Sequence, residues 1–363
     1  MSANFDLSAL ALKAVCPNNE ILYDDKGMPS IMVRIPKMTY AELGLGASTA
    51  TFPAFIVNGQ EVDEIYISKY QNIVQNGRAY SLPGQDPKAS INFDSALAAC
   101  TAKGAGWHLM SRAEWALIAQ WCFNNNSMPK GNNNYGKDTA DSIYQAIPSM
   151  ERDSSNRIQR VATGTGPLSW SHDGTPSGIW DLNGNVSEWV GGIRYVNGEL
   201  QVLVNNNAAD LNNPQTAAST LWKAIDGTDG SFITPNGSGT TTNSIKCDWT
   251  GSVWKWITGS ITDANKGNHG CAFESVTYDE GLSAAAVLLL QALGLLKYSS
   301  TVGAYLGDYF YLDNSQAERS VRCGGLWSIG ATAGVFCSGG SHGRGFTGPG
   351  IGFRSAFVAL PSA

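Results

Sequence analysis

Two capped amphipathic helices stand back to back between residues 92 and 122, and nearly everything around them reads as short strands and turns. Asn92 is placed to cap the first. Its apolar positions Phe93, Ala96, Leu97 and Cys100 follow the i, i+3, i+4, i+7 spacing of one helix face, and Gly104 lies just past its end. Ser111-Arg112-Ala113-Glu114 opens the second as a capping box, in which the serine hydroxyl and the glutamate carboxylate each take the other residue's backbone N–H. That helix carries Trp115, Ile118, Ala119 and Cys122 on one face, and the Asn-rich run at 124–134 ends it. Strands precede the pair, at 30–36 and at 64–70, where Ile65 and Ile67 share a face and Tyr66 takes the other. Strands followed by helices and then more strands predict an α+β fold, with two helices set against short antiparallel strands and long loops.

The remaining chain divides by texture. Residues 1–28 read as an N-terminal arm, helical and then turning at Asp24-Asp25-Lys26-Gly27, with a single domain from 29 to 363. Within it, about 195–320 reads as a loop-rich insertion, because the Asn/Gly/Thr-rich runs at 205–214, 226–244 and 262–270 offer little to bury. The apolar stretch from Leu282 to Leu296 is broken by Gln291 and Gly294 and falls short of the roughly 20 residues that cross a bilayer. It reads as a helix buried in the domain or packed on another subunit. The first twenty residues lack the basic and apolar regions of a signal peptide.

Charge excludes one class of partner. The net charge is −6 and lysine and arginine form no cluster, so the basic face that nucleic acid requires is missing. The seven cysteines are odd in number and none forms a C-x-x-C pair, which predicts buried free thiols rather than a zinc site or a disulfide framework.

Three phrases together carry a resemblance. They are Gly106 to Trp115 (GWHLMSRAEW), Gly178 to Val190 (GIWDLNGNVSEWV), and Arg322 to Trp327 (RCGGLW) closed by Ile351 to Phe357 (IGFRSAF). In this order they resemble the formylglycine-generating-enzyme branch of the C-type lectin fold. Within it the chain is most similar to the variable proteins of diversity-generating retroelements, such as phage tropism determinants. That resemblance implies a ligand-binding protein whose C-terminal segment, 323–354, is rewritten by adenine-directed mutagenesis. It implies display on a phage tail fibre or a bacterial surface, and a protein or glycan target on a cell surface. The alternative is a relative of the oxidoreductases that lost its cysteines, or a static lectin-fold binding module.

The segment suits such a role. Glycine makes up 11 of the 30 residues from Cys323 to Gly352, too many for a core strand, while Trp327, Val335 and Phe336 are out of place in a plain linker. Scaffold-like residues alternate with a mixed set that the resemblance makes variable: Leu326, Ser328, Ile329, Thr332, Gly339, Gly340, Ser341, His342, Gly345, Phe346, Thr347, Gly348, Pro349 and Gly350. Leu326, Ile329 and Phe346 are candidate apolar anchors, and His342 and Arg344 candidate polar contacts, around a shallow pocket left by the small residues at 339–341 and 348–350. Arg344 is the only charged residue between Cys323 and Gly352, which predicts recognition by shape and apolar contact with little salt dependence.

Catalysis is not expected. The places of the oxidase cysteine pair fall on Ile329 and Gly334, which neither bind copper nor form a thiolate, and Cys323 and Cys337 are offset toward scaffold packing. The histidines His108, His172, His269 and His342 are too scattered for a metal cluster. No cofactor is required. The resemblance implies one candidate structural calcium, held by Asp181, the carbonyls of Gly184 and Val186, and Glu188. The alternative is that these carboxylates bond loop amides and that Asn183-Gly184 is a hairpin turn, with Trp180 and Trp189 in the core. The oligomeric state is open.

Overall fold

The computed structural model describes residues 7–360. Residues 1–6, where the expected arm begins, lie outside them. Helix α1 (Leu7–Val15) leads to strand β1 (Asn19–Tyr23), which pairs along its whole length with β2 (Pro29–Pro36). The turn between them is built on Asp24, whose Oδ1 accepts the amides of Lys26 and Met28 at 2.9 and 2.8 Å. Residues 19–28 therefore belong to the body of the domain. The first sheet runs β1-β2-β3-β14-β4, with β3 at Glu64–Ser68, β4 at Trp107–Leu109 and β14 at Ser355–Phe357, all antiparallel. Ile65 and Ile67 join Val33 and Ile35 in the main core, while Tyr66 packs on the other face with Met32 and Trp107. Period-two alternation requires this division.

The second sheet is larger. From one side it runs β9 (Asn268–Ala272), β10 (Tyr309–Asp313), β12 (Gly334–His342), β11 (Arg319–Gly324), β5 (Ser187–Val196), β6 (Glu199–Val202), β7 (Lys246–Trp249) and β8 (Trp254–Ile257). It is mixed rather than purely antiparallel: β10 lies parallel to β12, and β13 (Ile351–Phe353) parallel to the start of β5. The stretch 195–320, read as a loose insertion, supplies five of these strands. It also buries Trp222, Trp254, Trp256 and Phe273. Its indoles repay the area its Asn/Gly/Thr runs do not bury.

Helix α2 (Phe93–Thr101) and helix α3 (Arg112–Asn124) start where the caps placed them. Asn92 Oδ1 accepts Ser95 N at 2.8 Å, and Ser111 and Glu114 close both bonds of the box, at 3.1 and 2.8 Å. α3 is buried on nearly every side, with the Trp115 indole donating to Val335 O at 2.7 Å. Helix α4 (Ala284–Ala292) is capped by Ser283, and its trailing carbonyls, Leu293 O and Gly294 O, each accept from the Arg112 guanidinium at 2.6 Å. Residues 282–296 thus pack inside the domain, and no described helix is long and apolar enough to cross a membrane. All seven cysteines are buried and free.

Candidate ligand-binding face

The turn after Trp180 turns several oxygens onto one point. Asp181, Gly184 and Asn185 have φ of 62°, 79° and 59°, and a Cβ on Gly184 would stand 2.1 Å from Asn132 O, so only glycine fits there. The chain coils so that Asp181 O, Gly184 O, Val186 O and Glu188 Oε1 converge on the side-chain amide of Gln71, at 3.0, 3.4, 3.0 and 3.0 Å from its Nε2. Asn185 Nδ2 donates to Gln71 Oε1 at 2.9 Å, which sets the amide so that its N–H groups face the oxygens.

This corrects the candidate calcium site. Asp181 contributes its carbonyl, while its carboxylate turns away to accept Gly164 N at 2.9 Å and leaves Oδ1 buried without a partner. Burial pushes that carboxyl up to about 6. The charge of Glu188 is met by Arg354, whose Nε and Nη2 reach its two oxygens at 2.6 Å each. With an amide at the focus and an arginine on the carboxylate, these residues do not fit a cation. No other group of acidic, His or Cys side chains suited to a metal occurs among the described residues.

The C-terminal segment forms two loops hung on strands. One, 325–333, joins β11 to β12; the other, 343–350, joins β12 to β13. The first is pinned by Trp327 N to Asn185 O (3.3 Å) and Tyr135 N to Trp327 O (2.7 Å). The second is pinned by Ser187 N to Gly350 O (2.8 Å), Ser90 N to Gly348 O (3.0 Å) and Phe93 N to Arg344 O (3.0 Å). Leu326 lies against Gly350, so the loops meet. Ser328, Gly345, Phe346, Thr347 and Pro349 are exposed; Leu326, Ile329, Thr332, Gly339, Ser341, His342, Arg344 and Gly348 are half-buried.

Three expectations for this face change. Gly340 and Gly350 are buried; a Cβ on Gly340 would stand 2.8 Å from Leu312 Cδ1 and 2.9 Å from a Tyr195 ring carbon, so the position faces the core. Arg344 is an internal clamp: its guanidinium binds Glu318 at 2.7 and 2.9 Å, Asp94 at 2.7 Å and Gln215 O at 3.0 Å. Leu326 packs with Trp327, Val186 and Ala89. His342 is neutral at physiological pH, because burial, and then the charges of Arg322 and Arg319, bring its pKa down to about 4.

Two residues of the face lay outside the expected set. Across the second sheet Tyr311, Gly339, Arg322 and Trp189 fall in one row. Their neighbours along the strands, Phe310, Leu312, Val321 and Cys323, are buried in the core, so this row turns the opposite way. α2 covers Trp189, and beyond it Arg322 and Tyr311 flank Gly339. The alternation Val321-Arg322-Cys323 is the sequence signal that pointed Arg322 outward.

The two positions that the resemblance sets against the oxidase cysteines hold no thiol. Ile329 is half-buried in the first loop, and Gly334 abuts the buried Asp308 carboxylate. Cys323 touches Arg112 Nη1 at 2.8 Å and burial pushes its thiol up to about 11, the opposite of an activated thiolate.

Residues 45–202 match the model of the sulfatase-modifying factor enzyme 1-like domain. No curated protein matches by sequence. Among solved structures, the chain is similar to PvdO from Pseudomonas aeruginosa, with 14% identity, 93% of this chain and 97% of that one covered, and a TM-score of 0.32. It is also similar to the Major Tropism Determinant P3c variant, with 10% identity, 93% and 71% covered, and a TM-score of 0.32. A third is variable protein 1 of Treponema denticola, with 12% identity, 93% and 98% covered, and a TM-score of 0.30. The domain match and the sheet-rich architecture, with four helices among the described residues, fit an α+β fold of the C-type-lectin-like kind.

Proposed function

We propose that this chain is a ligand-binding protein that meets its target with the loops 325–333 and 343–350. In this reading a retroelement diversifies the segment, and the protein is displayed on a phage tail fibre or bacterial surface toward a protein or glycan on a cell. One observation carries the reading. Ser328, Gly345, Phe346, Thr347 and Pro349, all members of the mixed set, are exposed on loops that start and finish on buried strands. Such a division lets contact residues change while the packing beneath stays constant, as in binding loops carried on a rigid scaffold. The absence of thiols at Ile329 and Gly334 favours binding over oxidase chemistry.

The test is to sequence the 3′ end of the gene across a population together with the neighbouring DNA. A near-copy of the segment, differing at adenines and beside a reverse transcriptase, supports the proposal. An invariant 3′ end without such a copy overturns diversification. Binding itself is tested by swapping the exposed loop residues and measuring adhesion to target cells.

A further inference from the structure

Arg322 is the exception among the protein's sheltered arginines. Arg344 and Arg194 share Glu318, Arg354 holds Glu188, Arg319 holds Asp313, and each nitrogen of Arg112 donates to a carbonyl, thiol or hydroxyl group. Arg322 pairs with no carboxylate among the described residues. Its Nη2 donates to His342 Nδ1 at 2.8 Å, and its Nε is buried with no partner. Nη1 has no partner among the described residues and keeps access to solvent. The guanidinium carbon lies 5.5 Å from the Trp189 ring centre and 5.7 Å from that of Phe346. Those rings favour a cation but supply no oxygen to its N–H groups. Neutral His342, tilted against Phe346 with ring centres 3.7 Å apart, can accept one bond and cannot neutralise the charge.

We propose that Arg322 is the anchor of an oxyanion subsite in this face, taking a carboxylate or sulfate group borne on a flat or apolar body. The free N–H groups at its outer end form the fork that such anions fit. Next to it Gly339 presents no side chain, and a Cβ there would have nothing nearer than Arg322 Nη2, at 3.7 Å. Tyr311, 37% exposed, bounds the far side one strand further on. Two strand spacings separate Tyr311 from Arg322, about 10 Å, room for one ring above Gly339. Phe346 closes the near side. The inference rests on the binding role proposed for this face and adds an ionic contact to the apolar recognition that the low charge of the segment predicts.

The test uses three small probes of similar shape: benzoate, phenyl sulfate and neutral benzyl alcohol. Binding to the full chain is followed by NMR shifts of Tyr311, His342 and Phe346. Benzoate or phenyl sulfate is expected to bind at least about tenfold tighter than benzyl alcohol. The tighter of the two names the anion. Binding should also raise the pKa of His342 by offsetting the Arg322 charge, and should be lost in Arg322→Gln. In Arg322→Lys, which keeps the charge without the fork, it should be weakened several-fold. Should Arg322→Gln fail to fold, the probe comparison on the native chain and the lysine variant decide. Equal binding of benzyl alcohol, or anion binding untouched by either substitution, overturns the subsite. A working subsite beside an invariant 3′ gene end would instead sink diversification alone.

Discussion

Gln71 Nε2 stands 3.0 Å from Glu188 Oε1, at the focus of three accepting carbonyl oxygens from the turn before that glutamate. A neutral amide occupies the point where a cation would sit, and its two N–H groups are shared among the four oxygens. Chelator or added calcium should therefore leave the melting temperature within about a degree. Gln71→Ala should cost about 1–3 kcal/mol, because buried acceptors lose their donor. A calcium-dependent rise of many degrees in differential scanning calorimetry would overturn this account.

Arg354 joins that network to both sheets through Glu188, Trp180 O and Ser68 O. Arg354→Met should destabilise by about 3–5 kcal/mol, since Glu188 is then a buried charge with no counter-ion. Urea unfolding of the two proteins measures the difference.

The face and its scaffold should separate by mutation. Phe346→Asn removes a ring that is 38% exposed and should cost less than about 1 kcal/mol while altering ligand choice. Trp327→Ala or Trp180→Ala should cost about 3–5 kcal/mol. Leu326→Asn should fall between, given its packing on Trp327. Unfolding of the Phe346 variant at room temperature would place that residue in the core.

Natural variation should respect the glycine contacts. Side chains are expected at position 345, where a Cβ meets nothing within 4 Å, and none at 340, where it meets Leu312 and Tyr195. Gly345→Asn should melt like the parent and Gly340→Asn well below it; the reverse order would place the outer face of β12 wrongly.

Asp181 predicts a pH dependence. Its folded pKa, raised to about 6 by burial, lies above its ordinary value of 3.8, so the folded state holds the proton more tightly. The group's contribution is full below about pH 4 and is lost as pH rises toward about 6, by up to roughly 3 kcal/mol. Comparing melting temperatures of the parent and Asp181→Asn from pH 4 to 7 isolates the effect: the difference should shift over that window and level off above it.

Local signals were the readable ones. The Asn92 cap, the Ser111/Glu114 box and the Ile65/Tyr66/Ile67 alternation each depend on neighbours within a few residues, and the structure places all three where the pattern put them. What depends on distant partners was not readable. Gln71 lies in a short loop of no distinctive pattern, more than a hundred residues from the oxygens it serves. Arg344 reads as an isolated charge until folding brings Glu318 and Asp94 to it. The stretch 195–320 misled because its loops dominate its composition, while a few tryptophans and short strands carry its packing.

The path of the chain after its exposed loops has a consequence for inheritance. Ile351–Phe353 pairs in the second sheet, Arg354 sits at the crossing, and Ser355–Phe357 inserts between two strands of the first. The final stitches of both sheets thus come from residues that follow the exposed loops. A message that shifts frame or stops within those loops yields a chain lacking β13, β14 (an inner strand of the first sheet) and the arginine that pairs with Glu188. Such a product is expected not to close and to be open to proteolysis. The fold therefore acts as its own proofreader: loops of altered sequence persist only on chains whose reading frame survives them.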